Sequence, residues 1–252
     1  MVARTILLSG ATGKFGRVYT QYLLSCGHTV IGISSTQQSL QKLIVEYDLS
    51  NKNFYGLVVD LCKEDSSLSV VDMLKARDLM PDCLINNARS FKFLETGQSG
   101  AVSRENFLNE YLLDVVVPYE LSLKLNEYSS RLKTILNIGS QYGVVATNPR
   151  LYDGPENGSP IHYGVAKAAL SHLTKELAVR LAEFSIQVSC IAYGGVEGRV
   201  NAKFKERYAE FVPLGRMLNE DEIVWPLDLL LSEKSAPMTG QTLNFDGGWT
   251  IW

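Results

Sequence analysis

The chain lacks any excess of positive charge. Its 24 lysines and arginines are outnumbered by 27 aspartates and glutamates, for a net charge of −3, and no basic stripe or polybasic cluster stands out. That argues against a nucleic-acid or membrane-surface partner. Cysteine is sparse. Cys26, Cys62, Cys83 and Cys190 are scattered without metal-ligand spacing, each in an apolar stretch. Reduced core thiols and no metal site are expected. The first apolar run, in "MVARTILLSGATG", stops at a glycine turn and is too short for a signal peptide or a spanning helix. Together these features imply a cytoplasmic protein. No linker or internal repeat divides the chain.

What is present is a long alternation. The 252 residues are 46% hydrophobic and 20% charged, enough for one large core. Short, β-branched apolar runs recur: "RTILLS", "HTVIGIS", "FYGLVVD", "DCLINN", "KTILNIG", "IQVSCIA" and "QTLNF". Near-continuous apolar runs suit strands covered on both faces. Helical patterns lie between them, at about 14–26, 37–47, 64–78, 103–127, 160–184 and 219–231. The expected fold is α/β: a doubly wound, Rossmann-type parallel sheet of about seven strands with helices on both faces, in a single domain over 1–252. Two long loops, 88–103 and 143–160, interrupt the alternation, and the second is rich in Gly, Pro, Asn and Asp. Loops of this length in a compact domain are usually functional.

"SGATGKFG", residues 9–16, follows the first run and opens the first helical pattern. Gly10, Gly13 and Gly16 suit a tight turn, close approach to a pyrophosphate and helix–strand packing. The helix N-terminus then offers free N–H groups to phosphate. The second run ends in Ser34, Ser35 and Thr36, with no acid to hold a ribose 2′-hydroxyl. Hydroxyls there, with Lys14 nearby, would receive a 2′-phosphate, so NADP(H) is favoured over NAD(H). Asp60 after the third run is placed to accept from an adenine amino group. Asn86 and Asn87 would satisfy backbone around the cofactor or a neighbouring strand. Gly10, Ser34, Asp60, Asn87, Ser140 and Gly194 all fall at the carboxyl ends of runs, where open α/β sheets bind ligands.

In "IHYGVAKAALSHL", Tyr163 and Lys167 are four residues apart and share one helix face. Ser159 and Pro160 are expected as the helix cap and first turn. Ser140 closes the preceding strand. Ser, Tyr and Lys placed after such a glycine turn resemble the short-chain dehydrogenase/reductase family in its compact single-domain form. The resemblance runs over essentially the whole chain. It includes "YGVAKAALSHLTKELAVRLAEFSIQVSCIAYGGV" and the tail "PLGRMLNEDEI…TGQTLNFDGGW".

The resemblance implies an NAD(P)-dependent oxidoreductase acting on a carbonyl or secondary-alcohol carbon. Tyr163 would be the acid/base. Lys167 would bind the nicotinamide ribose and lower the tyrosine pKa. Ser140 would hydrogen-bond the substrate oxygen. Moving a tyrosine from about 10 to about 7 needs roughly 4 kcal/mol. One ammonium at about 4 Å supplies a comparable amount at an effective dielectric near 20. The implied cofactor set is Gly10, Thr12, Gly13, Lys14, Phe15, Gly16, Ser34, Ser35, Asp60, Leu61, Asn87, Ala88, Tyr163, Lys167, Gly194 and Val196. A homodimer or homotetramer is implied too, with Trp249, Ile251 and Trp252 buried at its interface.

The departures from the family pattern are specific. Ser9 replaces a Thr, and Lys14 stands where a Gly is usual. Arg89 replaces the Gly of N-N-A-G, either as an anion-binding side chain or as a solvated loop residue. Asp114 occupies the place of an Asn that supports a proton relay through the lysine. Ser189 and Tyr193 replace the usual Asn and Pro before the nicotinamide pocket. The loop "LYDGPENGSPIHY" is similar to members from bacterial surface-sugar and flagellin-glycosylation pathways. On that reading Tyr142, Tyr152, Arg150 and Asp153 would grip a sugar-derived substrate in carbohydrate biosynthesis. Two other readings use the same residues: a nucleotide-sugar epimerase or dehydratase that retains its cofactor, and a non-catalytic cofactor-binding protein.

Overall fold

The apolar runs pair into one parallel sheet. Its strands are β1 (Thr5–Leu8), β2 (Thr29–Ser34), β3 (Phe54–Val58), β4 (Cys83–Asn86), β5 (Thr134–Ser140), β6 (Gln187–Tyr193) and β7 (Thr242–Phe245), in the order β3-β2-β1-β4-β5-β6-β7. The computed structural model describes residues 2–198 and 200–252. Strand order reverses between β1 and β4, which opens a crevice beyond their carboxyl ends.

Side chains alternate across each strand, and here both faces are apolar. Ile6, Leu8, Ile85 and Ile191 pack with Tyr19 and Leu23 of helix α1 (Lys14–Ser25) and Leu227 of α8 (Trp225–Leu231). Leu7, Leu84, Ile135 and Val188 face the other way. They meet Leu74 of α3 (Ser66–Lys75), Leu121 of α5 (Val117–Tyr128) and Leu177 of α6 (Ile161–Arg180). Each such side chain contributes about 1.5–3 kcal/mol on burial, so a one-residue slip in a strand would be opposed on both faces. Helix α2 (Gln37–Glu46) closes the β2–β3 crossover, its first turn capped by Thr36.

Three helices differ from expectation. The pattern at 103–127 is α4 (Arg104–Tyr111), a π turn at Leu112–Val116, and α5. Pro118 has no N–H to donate to the Asp114 carbonyl, so the ladder cannot continue in α register there. Helix α6 starts at Ile161 with Pro160 at the cap position and no side-chain cap bond. Ser159 therefore does not cap it. Helix α7 (Ala202–Phe211), capped by Asn201, was not expected.

The 143–160 loop has its own small core. Leu151 packs with Tyr208 and Val212 from the α7 region and with Trp249, whose ring stacks on Tyr208 at 4.5 Å. Trp249 is thus buried within the chain (5% exposed), not held for a partner copy, whereas Ile251 and Trp252 remain 71% and 76% exposed. Of the cysteines, Cys83 and Cys190 are buried, while Cys26 and Cys62 are only partly so.

Candidate active site

The glycine turn works as a cradle because of what surrounds it. Gly10 has φ +66°, a region side chains disfavour, and a Cβ there would come within 2.7 Å of Ala88 Cα. Ser9 ties the turn to β4: its hydroxyl oxygen accepts from Asn87 N at 2.9 Å and Ala88 N at 3.0 Å. The Asn87 amide donates to the carbonyls of Ser9 and Gly10. Asn86 turns the other way, into a buried chain to Asn137 and on to Thr174 of α6. The Asn pair thus serves the turn and the neighbouring strand at once. Helix α1 begins at Lys14 with no side-chain cap, which leaves first-turn N–H groups facing the cleft. These features fit the pyrophosphate of a dinucleotide.

The cleft has a volume of about 880 Å³. It is lined by Gly10, Thr12, Gly13, Lys14, Phe15, Ser34, Ser35, Asp60, Leu61, Asn87, Ala88, Gly194 and Val196, and by Ser140, Tyr163, Lys167, Arg89, Tyr142 and Tyr152. Four expected residues do not line it: Gly16, Asp114, Arg150 and Asp153. Gly16 is buried, and a Cβ on it would overlap the Gly10 carbonyl, so its role is to let α1 pack on the turn. Asp114 lies behind Lys167.

Lys14 also departs from expectation. Its ammonium donates to the carbonyls of Glu197 and Val196 and pairs with Glu220 at 3.1 Å. It bridges α1 to the segment after β6 instead of waiting at the end of β2, because those oxygens outcompete water for it. Arg17 is taken by Glu46. The end of β2 is left with hydroxyls: Ser34 Oγ lies 3.2 Å from Thr12 Oγ1, and Ser35 and Thr36 are exposed. Asp60 sits two residues past β3 and accepts from Cys62 N while its side chain stays exposed.

Ser140 ends β5, and its oxygen accepts from Tyr142 N at 3.2 Å. The turn at Gln141–Gly143 presses on α6, since a Cβ at Gly143 would lie 2.7 Å from the Lys167 carbonyl carbon. That contact fixes Ser140 relative to Tyr163 and Lys167. The Lys167 ammonium donates to Ile138 O at 3.0 Å and lies 3.1 Å from Asp114 Oδ2. The Asp114 contact is an ion pair without an aligned hydrogen bond. Burial pulls the Lys167 pKa down, but Asp114 and Tyr163 more than offset it and hold it above the ordinary lysine value. Lys167 therefore keeps its charge, 5.8 Å from the centre of the Tyr163 ring.

Next to Ser140, Tyr142 shares a hydrogen bond with Tyr152 at 2.9 Å. Burial raises both phenols above the usual tyrosine range, so they stay neutral. Asp153 does not face the cleft: it pairs with Lys203 and Arg207 of α7 and pins the loop down. Arg150 is exposed and does not line the cleft. Ser189 bonds Met238 O inside the fold, and Tyr193 bonds Ile223 O while its ring faces Phe15 and Phe245.

Several residues escaped the sequence reading. Phe204, Tyr208 and Met217 line the cleft. Tyr208 accepts from Gly195 N and donates to Gln141, linking the two strand ends. The signal for α7 was there: Asn201 as cap, then Phe204, Tyr208 and Phe211 on one helical face. Glu110 was missed too. It is 1% exposed, and among the described residues neither carboxyl oxygen has a hydrogen-bond partner.

Comparison with known proteins agrees with this geometry. Residues 12–250 match the family described as Enoyl-(Acyl carrier protein) reductase. The chain is 27% identical to the uncharacterized short-chain type dehydrogenase/reductase y4vI of Sinorhizobium fredii over 98% of its own length, but spans only 43% of that relative. It is 25% identical to the post-translational flagellin modification protein A of Campylobacter coli, with 98% of each chain covered. A short-chain dehydrogenase from Leptospira borgpetersenii, solved with bound NAD+, superposes with a TM-score of 0.85 at 30% identity, covering 99% of this chain and 93% of that one. A match along nearly the whole chain, over a cleft built for a dinucleotide, has one meaning: this chain belongs to the short-chain dehydrogenase/reductase family of NAD(P)-dependent oxidoreductases.

Proposed function

We propose that the enzyme moves hydride between NADP(H) and the carbonyl or secondary-alcohol carbon of a polar, sugar-derived small molecule. The observation that carries this reading is the meeting of Ser140, Tyr163 and a charged Lys167 on one wall of the cleft, beside the glycine cradle. The nicotinamide supplies the hydride when bound; the protein supplies position and the proton. Ser140 accepts from Tyr142 N, which leaves its own hydroxyl proton free to hold a substrate oxygen. Tyr163, half-buried with Lys167 beneath its ring, exchanges the proton with that oxygen.

The preference for NADP(H) rests on Ser34, Ser35 and Thr36, where an acid would repel a 2′-phosphate. Lys14 adds nothing to it. The sugar-derived substrate is supported by the hydrogen-bonded tyrosine pair in the cleft and by the relative named for flagellin modification. A homo-oligomer is part of the proposal, with Leu108, Tyr111, Tyr119 and Val165 exposed on α4, α5 and α6; sizing by light scattering checks it. No helix among the described residues is long and apolar enough to cross a membrane. The reaction is tested by following NADPH and NADH absorbance against ketoses, aldoses and their oxidised or deoxy derivatives. Failure to consume either cofactor with any of them, while both bind, would overturn the reading.

A further inference from the structure

Arg89 is held unlike an ordinary loop arginine. Its guanidinium carbon lies 4.4 Å from the centre of the Tyr163 ring and 4.8 Å from that of Phe91. Two aromatic faces therefore clamp the flat cation, a geometry that suits guanidinium and removes much of its rotamer freedom. The residue remains exposed where it lines the cleft. Among the described residues no carboxylate lies within ion-pair distance of Arg89. Among the described residues, the only acid lining the cleft is Asp60, which follows β3, three strands away from β4. At about 4.8 Å per strand that is roughly 14 Å.

The charge count on this wall is equally uneven. Lys167 is matched by Asp114 and Lys14 by Glu220, and Lys92, in the same lining, adds a further cation. Glu110, the acid closest in influence to Arg89, is buried with burial favouring its neutral form. Arg89 is left as a preorganised and unmatched cation lying against the acid/base tyrosine.

We infer that Arg89 reads an oxyanion on the substrate, a carboxylate or phosphate within a few bonds of the carbon that is oxidised or reduced. This rests on the reading of Tyr163 as the acid/base and narrows it: the substrate is an acidic hydroxy- or oxo-compound, such as a sugar acid or sugar phosphate by class. A bidentate guanidinium–oxyanion contact of about 2.8 Å places the anion beside the phenol. The oxygen that exchanges its proton with Tyr163 then sits only a short spacer away. The clamp fixes the guanidinium before the ligand arrives, so little ordering is left for binding to supply.

The test compares matched pairs with NADPH: 2- and 3-oxo acids against their methyl esters, and dihydroxyacetone phosphate against dihydroxyacetone. The expected result is a kcat/KM for one anionic series about 10- to 100-fold above its neutral partners. In Arg89→Met that ratio collapses toward one, with most of the loss in KM, and Arg89→Lys recovers part of it. Which series responds tells carboxylate from phosphate. Calorimetry adds a readout without turnover: malonate, succinate or inorganic phosphate is expected to bind the wild-type protein saturated with NADP+ and to lose that binding in Arg89→Met. Esters used as well as acids, or anion binding unchanged in Arg89→Met, would overturn the inference. Anion binding at Arg89 without any hydride transfer would instead sink the proposed reaction and leave the anion site standing.

Discussion

Lys167 Nζ lies 3.1 Å from Asp114 Oδ2 and 3.0 Å from the carbonyl oxygen of Ile138, wholly inside the fold. The ammonium is thus held from two elements, the π turn and β5, and its charge is stabilised from below. Burial lowers its pKa; the aspartate, together with Tyr163, more than offsets that. The raised pKa means the pair stabilises the fold fully below pH 10.5 and is lost only as pH rises through the higher folded value. Asp114→Ala is expected to lower stability by about 3–5 kcal/mol, because a buried cation loses its partner. It is also expected to move the alkaline fall of kcat to lower pH. Urea melts and a pH–rate profile measure both, and an unchanged profile would remove Asp114 from the machinery.

In the proposed reaction, Tyr163 and Ser140 divide the work at the substrate oxygen. Tyr163→Phe removes the exchangeable proton and is expected to lower kcat by about 10²–10⁴. Ser140→Ala removes one donor to the developing charge, an expected loss of about 10²–10³. Neither change touches the glycine cradle. Ser140→Ala is therefore expected to bind NADPH as the wild type does, by fluorescence titration, and Tyr163→Phe to keep most of that affinity. A Tyr163→Phe enzyme with near-normal hydride transfer would move the acid/base role elsewhere.

Ser34 closes β2 with its hydroxyl against Thr12. An acid at that position would face the ribose and repel a 2′-phosphate. Ser34→Asp is expected to weaken NADPH binding about tenfold or more, roughly 1.4 kcal/mol, while NADH binding holds or improves. Wild-type protein that already prefers NADH in the same titration would reverse the cofactor assignment.

The sheet was legible because its signal is redundant. Leu7 and Leu8 face opposite cores, so both must be apolar, and the runs read as covered strands without further help. Gly10, Ser140, Tyr163 and Lys167 were legible because each is fixed by position relative to a strand end or a helical turn. Lys14 was not: spacing puts its Cα beside the phosphate cradle, but a long flexible side chain goes where oxygens are, here to Glu197 and Glu220. Asp153 failed for the same reason, drawn to Lys203 and Arg207 of a helix that the sequence reading had left out. Trp249 looked like an interface residue because the stacking surface of Tyr208 is 41 positions away in sequence. Arg89 was visible only as a substitution; its meaning comes from two ring distances.

Glu110 gives a prediction that does not depend on the substrate. It lies at the end of α4, four positions before Asp114, buried and without a hydrogen-bond partner among the described residues. Burial first, then the charge of Asp114, push its pKa from 4.5 up to about 7, with Lys167 and Arg89 opposing. A carboxyl raised by folding stabilises the fold below its unfolded pKa, and that contribution disappears as pH rises through the folded one. The window is therefore about pH 4.5 to 7, and above it the ionised group is a liability. Glu110→Gln keeps the shape and cannot ionise. It is expected to match the wild type in urea stability near pH 4 and to exceed it near pH 8 by about 2–3 kcal/mol. The difference between the two proteins, plotted against pH, isolates this one group from every other titration. A flat difference across that window would mean that Glu110 is solvated or paired in solution, and that its proton is not held by burial.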